Sequence, residues 1–316
     1  MVKLFLSNRA LVQFLLPIMI AGYFVLGFYF GSIEKINAIN LGVLGVIKTN
    51  FLVSAIVNLL LIFVNGYLLN LLFNQNGFYE RNTYVSSLIY VVFMSYFESF
   101  YGLNGLVIAH TFFILAIYQL FDLNQNEDAR RAVFNAAFFL GVATIVHPPL
   151  IIVIPFLYFM VWTVRPFVWR ESFLLILGFA VPLIYGSVIY YLNGHLVNLK
   201  LIRQPVITEI GTLNFYISLS SIVVFIGLSI VGITVKNQKI SIRLKKMTRL
   251  IWFFVIIAAI LGVYDLFFFG QIERFSFFLI PITFFLPFAF TSKTWGGFTE
   301  FLFYLAILYS VIKFFI

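Results

Sequence analysis

The chain has 316 residues, of which 63% are hydrophobic and only 10% are charged, with a mean hydropathy of +1.07 and a formal net charge of +9. So few polar residues cannot cover a water-soluble surface, which excludes an ordinary soluble globular protein. The absence of cysteine excludes disulfides, thiolate metal sites and cysteine nucleophiles. The basic residues lie at the ends of apolar stretches rather than in a basic stripe, which argues against nucleic-acid binding.

Long apolar stretches follow one another along the whole chain. A bilayer core about 30 Å thick requires roughly 20 apolar residues per helix. The stretches therefore predict an all-α fold, a polytopic transmembrane bundle that forms a single domain over residues 1–316, because no polar run is long enough for a soluble domain. About eleven crossings are predicted, at approximately 10–31, 51–73, 84–99, 104–121, 132–146, 150–164, 172–192, 214–235, 249–269, 275–291 and 298–315.

Two parts of this layout can be interpreted in two ways. The first stretch follows a positively charged start, but it is too long for a signal peptide and no small-residue cleavage site follows, so we interpret it as an uncleaved crossing. The stretches 132–146 and 150–164 are short and are separated by His147-Pro148-Pro149, which cannot continue a helix. This pair is either a tight hairpin of two crossings or a broken, re-entrant pair.

The basic residues indicate the orientation. With eleven crossings and the N-terminus inside, the inner connections carry most of the lysine and arginine, as the positive-inside rule expects. We therefore predict the N-terminus inside and the C-terminus outside. The inner residues are Lys3, Arg9, Arg81, Arg130, Arg131, Arg165, Arg170, Lys236, Lys239, Arg243, Lys245, Lys246, Arg249 and Lys293, against Lys35, Lys48, Lys200, Arg203, Arg274 and Lys313 outside.

The predicted outer face has two larger loops, at about 31–50 and about 193–213. The first mixes apolar residues with Asn and Lys, which is compatible with an amphipathic helix lying in the membrane interface. The second contains His195, Lys200, Arg203 and Glu209. The other outer connections are tight turns.

Ionisable residues inside or at the edge of crossings are costly, so each is a candidate for function. The candidates are Glu98 with the nearby Asn104, His110, His147, Asp265 and the Glu273-Arg274 pair. They also have structural interpretations: His110 as a hydrogen-bonded interhelical histidine, Asp265 as the ion-pair partner of Arg274, Glu98 as a cap of a turn and His147 as an ordinary turn residue before the prolines. The three histidines are far apart in sequence, so no metal site is predicted.

Two segments carry a resemblance to a known family. The first runs from Ala109-His110-Thr-Phe-Phe-Ile-Leu-Ala to Phe139-Leu-Gly-Val-Ala-Thr-Ile-Val-His147-Pro148-Pro149, and the second is Glu273-Arg274-Phe-Ser-Phe-Phe-Leu-Ile-Pro281. These segments resemble the GT-C-fold membrane glycosyltransferases that use polyprenyl-phosphate-linked sugars. The chain also resembles an uncharacterised inner-membrane family of Bacteroidota. The resemblance implies a bacterial inner (plasma) membrane location and a GT-C-like architecture.

The resemblance also implies a site. Arg274 and His147 would line an outward-facing cavity and bind a lipid phosphate, with Glu98, Asp265 and His110 in support. The family places an acidic residue, usually Asp, in the first outer loop as base or metal ligand. Here that loop offers only Glu34, which would act as the catalytic base or hold a divalent cation if the protein is an enzyme.

Three functions remain open from the sequence. The scarcity of acidic groups favours a non-catalytic membrane subunit or scaffold that binds polyprenyl phosphate or another lipid, with other membrane proteins as partners. The alternative is a glycosyltransferase that moves a sugar from a polyprenyl-phosphate carrier. A lipid or small-solute transporter ranks third, because deep polar groups and broken-helix symmetry are sparse.

Overall fold

The computed structural model describes residues 2–7, 10–30, 38–123, 128–192, 212–237 and 241–315, and these are almost entirely helical. Each of the eleven predicted apolar stretches contains a helix, and a four-residue helix, α1, precedes them. The helices are α1 Val2–Phe5, α2 Leu15–Phe30, α3 Phe51–Gln75, α4 Val85–Met94, α5 Gly105–Asp122, α6 Arg130–Val146, α7 Val153–Val164, α8 Trp169–Leu192, α9 Leu213–Asn237, α10 Ile242–Phe269, α11 Leu279–Phe290 and α12 Gly296–Ile312.

Seven of the described helical segments are long and apolar enough to cross a membrane, as is typical of a polytopic membrane protein. They are Val12–Phe30, Phe51–Gln75, Gly105–Asp122, Trp169–Leu192, Leu213–Thr234, Ile242–Phe269 and Glu273–Phe290. Three further apolar helices, Val85–Met94, Pro148–Val164 and Gly296–Ile312, are shorter. The count of eleven crossings therefore stays a prediction.

Side-chain caps set several helix starts. Asn50 accepts a hydrogen bond from the backbone N–H of Leu52 at 3.0 Å and begins α3. Asn104 accepts from the N–H of Val107 at 3.1 Å and begins α5. These short polar side chains satisfy N–H groups that have no partner within the helix.

The centre of the bundle is formed by α4 and α11. Every residue of both helices is buried, and the Ser86 hydroxyl donates a hydrogen bond to the Thr283 carbonyl at 3.0 Å. Helices α3, α9 and α12 pack around this pair. In contrast, α8 exposes large apolar side chains such as Phe173 at 61% and Ile176 at 62%, which would face lipid.

Glycines bring α6 and α8 into close contact. A Cβ atom at Gly178 would lie 2.6 Å from the Phe134 carbonyl oxygen, and one at Gly141 would lie 2.8 Å from the Phe179 carbonyl oxygen. Small residues at such positions let two helix backbones approach closely, as in many membrane helix pairs.

The first loop predicted to be outer differs, over its described residues, from the expected amphipathic helix. Within residues 38–50, strands β1 Ala38–Asn40 and β2 Val46–Lys48 form an antiparallel hairpin around a 3₁₀ turn at Gly42–Leu44. Gly42 and Gly45 have φ values of 61° and 86°, which an α-helix does not contain. The expectation of a helix was wrong here because these two glycines set the local backbone.

Contacts group the connections into two ends of the bundle. We call one the hairpin end, comprising residues 38–48, 95–104, 147–149, 265–274 and Lys313. The other is the basic end, comprising Phe5 and residues 74–84, 164–171 and 243–246. At the basic end, Arg243 donates to the Asn76 side chain at 3.3 Å and Lys246 donates to the Val164 carbonyl at 3.0 Å. Within the ranges named here, the connections predicted to be outer lie at the hairpin end, and those predicted to be inner lie at the basic end. Residues 193–211 of the second predicted outer loop lie outside the described residues.

Candidate functional site at the hairpin end

The turn after α6 places His147. A residue before proline is disfavoured in the helical region, so α6 ends at Val146 and His147 adopts φ −134° and ψ 87°. Its N–H still donates to the Ala143 carbonyl at 2.8 Å, which closes the last helical turn. Pro148 then starts a 3₁₀ helix, and the His147 ring is held at the hairpin end.

A second turn places Arg274. Helix α10 ends at Phe269, followed by Gly270 in the left-handed conformation with φ 63°. The 3₁₀ helix Glu273–Phe278 then brings Arg274 back onto the last turns of α10. Its backbone N–H donates to Asp265 Oδ2 at 3.0 Å, and its Nη1 forms an ion pair with Asp265 Oδ1. The side chains are 13% and 1% exposed, respectively.

The guanidinium of Arg274 also reaches the turn after α6. Its Nε donates to His147 Nε2 at 3.2 Å. The guanidinium carbon lies 4.7 Å from the ring centroid of Phe269 and 5.5 Å from that of Tyr264, within the range of cation–π attraction. We call Arg274, Asp265 and His147 the Arg274 cluster.

His147 is neutral in this arrangement. Burial lowers its pKa to about 3, and the neighbouring Arg274 charge acts in the same direction. Since Nε2 accepts from Arg274, the ring proton is assigned to Nδ1 by the hydrogen-bond pattern. His147 therefore orients Arg274 and retains one N–H donor, but it supplies no charge of its own.

Arg274 keeps unused donors. Nη1 is committed to Asp265 and Nε to His147, whereas Nη2 has no acceptor among the residues that the structure describes. A guanidinium fixed on two sides with N–H groups left over is suited to an oxyanion such as phosphate or carboxylate.

His110 lies deeper in the bundle and belongs to a separate network. Its Nδ1 is 3.0 Å from the Tyr90 hydroxyl, and its Nε2 is 3.3 Å from the Ser276 hydroxyl. Asn65 donates to the Tyr90 oxygen at 3.3 Å. His110 is thus a fully buried histidine with hydrogen bonds to α4 and to the segment after Arg274. The ring of Phe277 separates it from His147, at centroid distances of 4.5 Å and 6.0 Å.

Glu273 belongs to this region, and the sequence indicated it as a candidate beside Arg274 without giving it a role in the site. Its carboxylate accepts from the backbone N–H of Glu98 at 2.7 Å and of Ser99 at 3.3 Å. Glu98 takes part through its backbone, while its own side chain is exposed. Lys313, just after α12, donates to the Ser95 carbonyl and lies over the Tyr101 ring. No sequence motif signals these contacts, because their partners are backbone groups.

The structure therefore brings together Arg274, His147 and Asp265, and places Glu98 and His110 nearby in separate contacts. Glu34, the predicted catalytic residue, lies outside the described residues, as does His195. Among the described residues, no three His, Asp or Glu side chains lie together as a metal site would require.

Residues 35–316 match the sequence pattern of DUF6427, described as a family of unknown function, and the chain belongs to that family. No curated protein and no solved structure matches the chain. The match is therefore to a family of unknown function, and no glycosyltransferase is among the matches.

Proposed function

We propose that this protein is a multi-pass inner-membrane protein of GT-C-like architecture that binds the phosphate of a polyprenyl phosphate, or of another lipid, at the Arg274 cluster. Its role is that of a non-catalytic membrane subunit or scaffold. The observation that carries the proposal is the guanidinium of Arg274, oriented by Asp265 and His147, with N–H groups of Nη2 that no described residue accepts.

The position of the cluster supports a lipid ligand. It lies where two turns meet at one end of an apolar bundle, and on the predicted topology this is the outer end. A lipid phosphate resides at that level of a membrane, with its chain along the apolar helix surfaces. The Arg274 side chain is 13% exposed, so a headgroup has limited but direct access to it.

The chemistry at the cluster favours binding over catalysis. A general base must be an accessible acceptor near the reacting hydroxyl. Asp265 is 1% exposed and accepts from both the backbone and the side chain of Arg274, and His147 Nε2 is occupied by Arg274. Neither group is available to remove a proton.

Lipid binding can be measured by native mass spectrometry of the purified full chain with a polyprenyl phosphate, and with the matching polyprenol as reference. We expect preferential binding of the phosphate, and loss of that preference in Arg274→Gln. Arg243→Gln, at the basic end, is the matched control and should bind like the unmodified protein. Equal binding of phosphate and alcohol would contradict the proposal.

One observation keeps glycosyl transfer as a second candidate. The hairpin that follows Glu34 in the chain packs against the turn bearing His147, since a Cβ atom at Gly42 would lie 2.6 Å from the Ile145 and Val146 carbonyl oxygens. If Glu34→Gln abolished the cellular role while polyprenyl-phosphate binding persisted, Glu34 would act as a catalytic residue. Preserved function in that variant fits the non-catalytic role.

A further inference from the structure

A small recess lies at the basic end, at the turn between α7 and α8. Its cavity volume is about 10 Å³. This is room for one small polar group. The lining residues are Tyr158, Val161, Trp162, Pro166, Phe167, Val168, Glu171, Ser172 and Leu175.

The lining includes a carboxylate that the protein leaves incompletely satisfied. Glu171 is only 5% exposed. Its Oε1 lies 3.8 Å from Arg165 Nη2, an ion-pair distance too long for a hydrogen bond. Its Oε2 is buried and has no partner among the described residues. A buried carboxylate oxygen without a donor is costly, and Glu171 lines the recess, so a small hydrogen-bond donor held there would offset this cost.

The walls of the recess favour a cation as that donor. Tyr158, Trp162 and Phe167 present aromatic rings, and the Tyr158 and Phe167 centroids are 6.3 Å apart. Aromatic faces attract cations, and the effect increases where water is excluded. A primary ammonium has the size of a water molecule and three N–H donors, whereas a trimethylammonium group exceeds the available space.

Exposed tryptophans beside the recess are typical of the level of lipid headgroups. Trp162 is 56% exposed and Trp169 is 78% exposed at the end of an apolar bundle, as in the aromatic belts of membrane proteins. Trp169 begins α8, and Arg170 in its first turn is exposed. The free N–H groups at a helix start and an arginine together favour a phosphate next to the recess.

We propose that the recess at Glu171 binds the ammonium group of an aminophospholipid headgroup, with the lipid phosphate at the start of α8. The ligand class is phosphatidylethanolamine. This site lies at the opposite end of the bundle from the Arg274 cluster and does not depend on the function proposed there.

The test uses the full chain in nanodiscs or detergent, with native mass spectrometry of bound lipid. The probes are phosphatidylethanolamine, its mono- and dimethylated forms, and phosphatidylcholine, all with the same acyl chains. We expect retention to fall with each added methyl group, by about tenfold overall. Glu171→Gln should remove this preference, while Glu80→Gln, an exposed carboxylate at the same end, should retain it.

Trp162→Leu provides a second variant that leaves the buried charge in place, and it should weaken the preference if Glu171→Gln fails to fold. Free ethanolamine is the last probe, and it distinguishes a soluble amine from a lipid headgroup. Equal retention of phosphatidylethanolamine and phosphatidylcholine, or an unchanged preference in both variants, would overturn the proposal. Binding of ethanolamine that depends on Glu171, without any lipid preference, would overturn the lipid assignment in favour of a soluble amine.

Discussion

At the scale of single residues, the pairing of Arg274 with Asp265 determines what the hairpin end can do. A buried guanidinium without a counter-ion would carry a large desolvation cost. The carboxylate of Asp265, whose side chain is only 1% exposed, offsets that cost. The same pairing leaves the cluster nearly neutral, so an anion would be bound by directed N–H donors rather than by a net positive field. This argues for a specific phosphate contact over general attraction to anionic lipid.

Replacing Asp265 tests the structural part of this pairing. We expect Asp265→Asn to destabilise the protein by about 3–5 kcal/mol, because the Arg274 charge then stays buried without a counter-ion. Thermal unfolding in detergent measures the change. The double variant Asp265→Asn, Arg274→Gln should recover part of the loss, since both charges are removed. If the double variant were less stable by the full sum of the single effects, the pair would not be coupled.

At the scale of elements, the contact between α6 and α8 depends on glycines, which have no side chain to hold the two backbones apart. Gly178 faces the Phe134 carbonyl, and Gly141 faces the Phe179 carbonyl and Pro182. The contact continues to the last turn of α6, just before His147, where a Cβ atom at Gly186 would lie 3.0 Å from the Ile145 side chain. A helix pair of this kind gains stability from close van der Waals packing, which lipid does not replace equally well.

A methyl group at Gly178 should disrupt this packing. A Cβ atom there would lie 2.6 Å from the backbone oxygen of Phe134, which cannot move without shifting α6. We expect Gly178→Ala to lower the free energy of unfolding by about 1–3 kcal/mol despite the better helix propensity of alanine. Gly227→Ala in α9 is the matched control, since a Cβ atom there meets nothing within 4 Å. Equal thermal midpoints for the two variants would argue against close packing.

At the scale of the whole molecule, the basic residues at the two ends of the bundle indicate how the protein is oriented in the membrane. Arg243 and Lys246 make contacts at the basic end, in line with the positive-inside rule. The hairpin end holds β2 with the exposed Lys48. The side of the membrane that each end faces follows from this charge asymmetry and is a prediction.

Because the chain contains no cysteine, single introduced cysteines report this topology directly. We expect Arg81→Cys and Lys245→Cys to react with a membrane-impermeant thiol reagent only after the cytoplasmic side is opened. Lys48→Cys should react in intact spheroplasts. All three positions are exposed in the structure. Labelling of residues 81 and 245 from opposite sides would refute the layout.

Much of this architecture could be predicted from the sequence, because long apolar runs define helices regardless of their partners. The pairing of Asp265 with Arg274 was one of the two interpretations of Asp265, since the two positions are nine apart in the sequence across one short turn. The proximity of Arg274 and His147 rested only on a family resemblance, because their positions are 127 apart in the sequence. The Glu273 contacts were missed, since they depend on backbone N–H groups of a 3₁₀ turn. The hairpin was missed because three-residue strands are too short to show a periodicity.

Helix α4 has a consequence for how the protein is made. Its ten residues span about 15 Å, roughly half of a hydrocarbon core, and none of them is exposed. A nascent chain emerging from the ribosome would therefore deliver a segment that lipid alone cannot accommodate. One of its two main partners, α3, precedes it in the chain, but the other, α11, is synthesised almost two hundred residues later. Biogenesis must shelter α4 until translation is nearly complete, so that chains cut short before α11 are expected to be targets for membrane proteases.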